Sequence, residues 1–241
     1  MKLKSNRPSY AFRFAGLTLS ACLLSIALRA ETTPAPVASG SFPRIAIGGE
    51  IGTAGWGPVA VLTASEHFTA NVGYTWLNYD FDRSYTSGDY KAKLNLSNLQ
   101  AIINWHPFAG SFHLSAGAFL SDDKISMTAA PKGDTTYPIG DGTYTATQVG
   151  TLTGKAVLSN GVAPLVGLGW SKIPGKSGFG VFFDIGVLFI HSPTVTFIAT
   201  GPITNDTTFK ADLAKETQTV NDDLSKIKYY PIIKFGVLYR F

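Results

Sequence analysis

The 241-residue chain has one cysteine, Cys22, and four histidines. Cys22 falls inside an apolar run near the N-terminus, so no disulfide framework or thiol chemistry is expected after it. The histidines, His67, His106, His113 and His191, fall on separate segments. That scatter gives no metal-ligand spacing, and neither a metal nor another cofactor is expected. Beyond residue 30 no run of 18 apolar residues occurs, which excludes helical membrane spans. Gly48-Gly49, Gly52, Gly55 and Gly57 are not followed by a helical pattern. They read as bends in a β structure rather than as a phosphate loop.

The basic balance of the chain is local. Met1 to Arg13 carries four cations and no acid, Phe14 to Leu28 is apolar, and Ala30 is followed by a Thr/Pro/Ala-rich stretch. This is the n-region, h-region and small-residue order of a secretory signal, read as residues 1–30. Leu28 stands where such a site prefers a small residue. Leu19-Ser-Ala-Cys22 also matches a lipoprotein-type box, but Leu23 to Leu28 stays apolar where a lipoprotein would turn polar, so the ordinary signal is the preferred reading. Removing Lys2, Lys4, Arg7, Arg13 and Arg29 from the 20 Lys and Arg leaves 15 against 16 Asp and Glu. A near-neutral chain gives no reason to expect nucleic acid as a partner. Residues 31–42, with Pro34 and Pro36, read as a disordered periplasmic leader.

From residue 43 onward the pattern is one of period two, the mark of strands whose faces meet different surroundings. It is clearest in the last segment, from Tyr230. Ile233, Phe235, Val237, Tyr239 and Phe241 share one face, and Lys234, Gly236, Leu238 and Arg240 the other. Seven further strands are expected. The first spans about 44–53, with Ile45, Ile47 and Ile51 outward. The second spans about 56–64, with Val59 and Val61 outward. The third starts at Phe68 and ends before a loop at 80–89. The fourth spans about 90–105; Leu94 and Leu96 are out of phase with Leu99, so a bulge is expected near Ser97. The fifth runs from Phe112 to about Ser121 and precedes a loop at 127–152. The sixth spans Val162 to Trp170. The seventh starts at Phe179 and reads on through Val195 and Phe197. A loop at 199–227 carries a helical pattern capped by Asp206, with Phe209, Leu213, Val220, Leu224 and Ile227 on one side.

Short connections (65–67, 106–110, 172–178) alternate with long ones. Outer-membrane barrels put both termini and the short turns on the periplasmic side and the long loops outside. The expected fold is therefore all-β: an eight-stranded antiparallel transmembrane β-barrel over residues 43–241, with long extracellular loops, one containing a short helix. The expected localisation is the bacterial outer membrane.

The faces sort the candidate residues. Arg44, Glu50, Asp184, Lys234 and Arg240 point to the lumen, with Glu50 and Lys234 placed to pair across the seam between the first and last strands. Ions taken out of water need partners, so these form either a structural network or a path for a charged solute. Tyr74, Trp76, Trp105, Trp170 and Tyr239 lie near strand ends, as membrane-interface aromatics do. His113-Leu-Ser115 invites a hydrolase reading, but no acid near it orients the base, and no enzyme is expected. The helical segment reads as a cover over the barrel mouth or as a partner-binding element.

Glu50-Ile-Gly-Thr-Ala-Gly-Trp-Gly57, Asn71-Val-Gly-Tyr74, Val162-Ala-Pro-Leu-Val-Gly-Leu-Gly-Trp170, Gly180-Val-Phe-Phe-Asp-Ile-Gly-Val-Leu-Phe189 and Ser192-Pro-Thr-Val195 resemble the CarO-type outer-membrane proteins. The resemblance covers most of residues 45–197 and the final strand. It implies an eight-stranded barrel associated with uptake of basic amino acids such as ornithine and with carbapenem susceptibility. No catalytic or ligand motif carries over residue by residue. The expected partners are outer-membrane lipid, a small polar solute, and the barrel-insertion machinery, which would read the last strand with Phe241 as its terminal aromatic. The barrel is expected to be a monomer that forms a narrow channel for small polar solutes such as basic amino acids, the alternative being a closed structural or surface-interaction barrel that acts through its extracellular loops.

Overall fold

Antiparallel strand pairing dominates the computed structural model, which describes residues 42–85, 88–133 and 136–241. The expected signal (1–30, with Cys22) and the expected leader as far as residue 41 lie outside the described residues. The strands are β1 (Arg44–Gly52), β2 (Gly55–Thr63), β3 (Phe68–Tyr85), β4 (Gly88–Trp105), β5 (Phe112–Pro131), β6 (Thr136–Ile139), β7 (Gly142–Thr145), β8 (Leu152–Lys172), β9 (Gly178–Phe189), β10 (Thr194–Ala199) and β11 (Tyr229–Arg240). Two helices, α1 (Ala146–Val149) and α2 (Thr207–Leu224), and a 3₁₀ turn at Pro202–Asn205 complete the described chain.

Eight strands close into a barrel. The ladder runs β8-β5-β4-β3-β2-β1-β11-β9 and returns to β8, antiparallel at every step. The seam joins first strand to last, with Ala46 opposite Arg240 and Gly52 opposite Lys234. Closure leaves no sheet edge within the ring, which is how such a wall satisfies its backbone polar groups. The short turns 64–67, 106–111 and 173–177 and both chain ends of the barrel lie at one end.

The wall is apolar outside and mixed inside. In β9 the outward row Phe179, Val181, Phe183, Ile185, Val187 and Phe189 is exposed, while Phe182 and Asp184 are buried. β11 repeats this with exposed Ile233, Phe235, Val237 and Tyr239 against buried Ile232, Lys234 and Leu238. Phe179 to Phe189 spans ten residue steps. At ~3.3 Å per residue and a ~40° tilt that is ~25 Å, the height of the apolar band of an outer-membrane barrel.

Three expectations about the wall are corrected. Val59 and Val61 point inward, at 1% and 2% exposure; Trp56, Pro58, Ala60 and Leu62 take the outer face. The register fixes this, because Ile47 lies opposite Ala60 and Ile51 opposite Trp56, and directly opposed residues share a face. No bulge occurs near Ser97, since β3 and β4 pair without interruption from Phe68↔Trp105 to Tyr85↔Gly88. The one register shift among the described barrel ladders is between Asp123 and Lys124 against β8. Residues 80–85, 88–89 and 127–131 are strand rather than loop, and β8 starts at Leu152.

These extensions explain the phase of Leu94 and Leu96. Within the band, β4 is polar inward (Asn98, Gln100, Asn104) and apolar outward (Leu99, Ile103). Beyond Ser97 the same strand is charged outward (Lys91, Lys93) and apolar inward (Leu94, Leu96). β5 does likewise, with Leu114 and Leu120 outward within the band, then Lys124 outward and Ile125 and Met127 on the inner face. The polarity of both faces inverts at one height, and the strand phase is unchanged.

Above that height the connections fold into a cap. The seventh strand does not run on; residues 194–199 form the separate strand β10, which pairs with the outer part of β8 from Thr194↔Val157 to Ala199↔Leu152. α2 starts at the Asp206 N-cap, whose carboxylate accepts the Phe209 N–H at 2.8 Å. Phe209 packs with Ile139, Tyr144 and Val149, and Leu213 lies against the same cluster. Ile227 falls past the end of α2 and is 46% exposed. The β6–β7 hairpin is held to α2 by polar contacts. Tyr144 Oη donates to Asp212 Oδ2 at 2.5 Å, Gly140 N–H donates to Glu216, and Lys215 pairs with Asp141.

Two outcomes follow. Phe119, 1% exposed at the centre of the inner apolar cluster, leaves a cavity as alanine, and Phe119→Ala should lower unfolding stability in urea by about 3–5 kcal/mol. The Tyr144 hydroxyl is pushed up from 10.0 to about 12, first by its hydrogen bond to Asp212. The folded form therefore holds its proton longer than the unfolded form, so this contribution to cap stability is complete below pH 10 and is lost as pH rises through about 12. Absorbance titration of tyrosinate should show a late-titrating group that is missing in Tyr144→Phe.

Candidate functional site

The lumen is where the polar residues of the barrel converge. Lys234 on β11 stands between two carboxylates: Nζ lies 3.3 Å from Asp184 Oδ2 on β9 and 3.6 Å from Glu50 Oε2 on β1. All three residues are 5% exposed. Gln100 on β4 bridges the second pair, its Nε2 donating to Glu50 Oε1 and its Oε1 accepting from Lys234 Nζ at 3.2 Å. His113 on β5 reaches Asp184 from the other side, Nε2 to Oδ1 at 2.8 Å. A carboxylate only accepts, so Nε2 carries the proton. Lys234 Nζ also sits 5.4 Å from the centre of the Phe182 ring, within reach of a cation–π attraction.

Glycines make this crossing geometrically possible. Gly169 lies in the wall between His113 and Asp184, opposite both in the ladders. A Cβ there would collide with Asp184 Oδ1 and come within 2.7 Å of His113 Nε2. Gly73 does the same beneath Gln100 and Glu50, where a Cβ would lie 2.8 and 2.9 Å from the bonded atoms. The missing side chains are the space in which residues of non-adjacent strands touch.

Apolar clusters flank the charged group. Toward the β8–β9 turn lie Ala46, Val59, Val61, Phe182 and Leu238, with Ile173 against them. Toward the opposite end lie Ile102, Phe119, Ala163, Leu165, Leu188 and Ile232, with Ala54 and Tyr230 packed on them. Ala54 belongs to the β1–β2 turn, which is anchored from inside: its carbonyl accepts from Thr75 Oγ1 at 3.0 Å, and the Thr53 carbonyl accepts from Tyr230 Oη at 2.8 Å. The turn therefore bends over the lumen. The internal cavity beside Glu50, Thr75, Gln100, Phe119, Ile232 and Lys234 measures about 10 Å³, room for about one water.

A second polar chain runs along the β3–β5 side. His106 Nδ1 lies 2.9 Å from the Gly110 carbonyl and must donate to it, so in the neutral ring Nε2 accepts from the Thr69 hydroxyl at 3.3 Å. Asn104 Nδ2 donates to Thr69 Oγ1 and Ser115 Oγ donates to Asn104 Oδ1. His106 begins the 106–111 turn, as expected, yet is 5% exposed and part of this interior. The absence of an acid beside His113 is likewise corrected, because Asp184 folds against it from 71 residues away. A triad does not result, because the Ser115 hydroxyl donates to Asn104 Oδ1 instead of to the His113 ring.

The five expected lumen charges do not form one group. Glu50, Asp184 and Lys234 meet. Arg240 donates from Nη1 to the Pro174 carbonyl at 2.8 Å, and Arg44 lies over the Phe42 ring at 4.3 Å, both at the end where the chain enters and leaves the barrel. Gln100 and His113 belong to the site and were not joined to its ions: His113 was weighed only with Ser115, and the one sequence signal of Gln100 was inward parity, which it shares with every other inward residue.

The expected interface aromatics lie on the outer surface. Trp105, Trp170 and Tyr239 are exposed toward the turn end, with Phe112 5.8 Å from Trp170 and Phe179 5.1 Å from Tyr239. Phe241 is 77% exposed beside Tyr239. Tyr74 and Trp76 stand at the other end, joined by Trp56, whose ring centre is 4.4 Å from that of Trp76.

No family model matches the sequence, and no curated protein does. Two solved structures from Acinetobacter baumannii share the fold. CarO is 21% identical, with 83% of this chain and 98% of that one covered and a TM-score of 0.57. CarO2 is 19% identical, with 84% and 100% covered and a TM-score of 0.55. The closed eight-stranded architecture of this chain is thus a CarO-type barrel fold.

Removing the shared cation tests the site. Lys234→Met leaves two carboxylates buried together and should destabilise the barrel by about 3–5 kcal/mol. Neutralising all three ions (Glu50→Gln, Asp184→Asn, Lys234→Met) should recover most of that loss in the same urea titration.

Proposed function

We propose that this protein is an outer-membrane β-barrel, closed to solutes in the conformation described, that works through the structure it carries above the lipid. The supporting observation for closure is the filled lumen, where the cavity at the charge crossing holds about one water. The continuous outer belt of exposed apolar side chains, edged at both ends by aromatics, supports the membrane setting, because a contiguous apolar surface of that size needs cover. On this reading the barrel is a non-enzymic monomer. Its lipid partner meets the belt, and β11 with Phe241 is the segment the insertion machinery would recognise.

A second reading, passage of small basic amino acids, draws on a specific feature of the crossing. Two buried carboxylates share the Lys234 ammonium, and an incoming ammonium or guanidinium would offer them the same chemistry. The CarO-type resemblance implies this activity as well. It requires Lys234 to leave its place and the apolar clusters to part.

Swelling of proteoliposomes in glycine and in ornithine separates the readings. The closed barrel should give the rate of empty liposomes with both solutes. Swelling above that rate would overturn closure, and swelling with ornithine in preference to glycine would establish the second reading.

A further inference from the structure

The strands of the barrel do not end at one height. β2 pairs with β3 no farther than Trp56↔Trp76, whereas β3 continues against β4 to Tyr85↔Gly88. From Leu77 to Tyr85, β3 therefore has a ladder partner on one side only among the described residues. Every residue from Asn78 to Tyr85 is exposed. In an antiparallel strand alternate residues turn both backbone groups to the same side, so about four N–H and C=O pairs face outward along this edge.

The opposite edge of the same extension is closed. The side of β10 away from β8 is met by Asn221 of α2, whose Oδ1 accepts the Val195 N–H at 2.7 Å and whose Nδ2 donates to the Val195 carbonyl at 3.0 Å. An amide side chain there stands in for a neighbouring strand. β3 has no such substitute among the described residues.

Charge selects what would fit. Along the open segment Asp80 and Asp82 lie on one face, and Tyr79, Phe81, Arg83 and Tyr85 on the other, the three rings at 57%, 40% and 59% exposure and the Arg83 guanidinium 4.9 Å from the centre of the Phe81 ring, so that the acidic row is the face that selects a cation. The strand already on the paired side presents Lys93 opposite Asp80 and Lys91 opposite Asp82, with Lys93 Nζ 3.5 Å from Asp80 Oδ2. A second copy adding antiparallel about Phe81 would set Asp80 against Asp82 twice, and directly opposed like charges destabilise a pair. Charged residues guard edges against self-pairing in this way, but an acidic guard admits a cationic strand.

We propose that the free edge of β3, Leu77–Tyr85, is a strand-addition site for an extended peptide segment with cationic residues at alternate positions and apolar or aromatic residues between them. Backbone hydrogen bonds supply the affinity. The Asp80/Asp82 row and the Tyr79/Phe81/Tyr85 row read the two faces of the incoming strand. The site lies outside the lumen, so it holds whether or not the barrel passes solute.

The probe is a fluorescein-labelled nine-residue peptide of alternating lysine and valine, titrated by anisotropy against the full chain in detergent micelles. Binding should be about tenfold tighter than for the glutamate–valine counterpart, a difference of 1.4 kcal/mol. Asp80→Lys with Asp82→Lys should reverse the preference. N-methylation of one alternate set of peptide amides should abolish binding while the other set is tolerated, and amide exchange should slow across residues 78–85. No preference for lysine, equal binding by both N-methylated peptides, or unchanged exchange at 78–85 would overturn the proposal. A dimer that protects the same amides without peptide would also overturn it, giving the edge to a second copy.

Discussion

Closure of the wall is the constraint on which the rest of this structure depends. In the proposed membrane setting a sheet facing lipid has no water to satisfy its backbone, so each N–H and C=O in the apolar band must find a partner in the wall. The β1–β11 seam completes that pairing between residues nearly 200 positions apart in the chain, as Ala46↔Arg240 shows. Once the ring is shut, period-two alternation divides every strand between an outer and an inner face. An eight-stranded ring is only wide enough for its own side chains. Its interior must then be solved as a small core, and Phe119, Ile232, Phe182 and Leu238 fill it together with the ions.

The charge crossing is a consequence of that narrowness. Glu50, Lys234 and Asp184 sit on neighbouring strands, with Lys234 directly opposite Asp184 and both carboxylates within 3.6 Å of its ammonium; the narrow ring is what brings Gln100 and His113 to them from β4 and β5. Desolvation makes each ion costly alone, and the arrangement answers with shared contacts: one ammonium to two carboxylates, an amide bridging one pair and an imidazole donating to the other. The same packing that satisfies these groups occupies the path a solute would follow. Structural and transport roles for the crossing are therefore linked, since any passage must undo the contacts that hold the interior together.

Above the band the strands persist but their surroundings change. Lys91, Lys93 and Lys124 stand outward where Leu99, Ile103 and Leu120 stood below them, the change that the proposed passage of the wall from lipid into water would require. Inside, Leu94, Ile125 and Met127 take the place of the polar row. Without the ring, β3 and β10 become edges again, and the two are treated differently: Asn221 closes one, and the other stays open.

Much of the barrel was legible in the sequence because period-two alternation is local. The outward rows of β1 and β11 and the pairing of Glu50 with Lys234 follow from parity and chain order, and the Asp206 cap from its place before a helical pattern. Parity failed where it had no strong local signal. Val59 and Val61 looked lipid-facing because they are apolar, but the register with β1 turned them inward. Leu94 and Leu96 looked out of phase because the polarity of the surroundings, not the strand, inverts there. The polar runs 80–85, 88–89 and 127–131 looked like loops because strands beyond the apolar band lose their hydrophobic signature. Gln100, His106, His113 and the approach of Asp184 to His113 were decided by tertiary structure alone. Which inward side chains meet across a barrel depends on shear, tilt and the glycines that leave room, and those are properties of the closed ring rather than of any one strand.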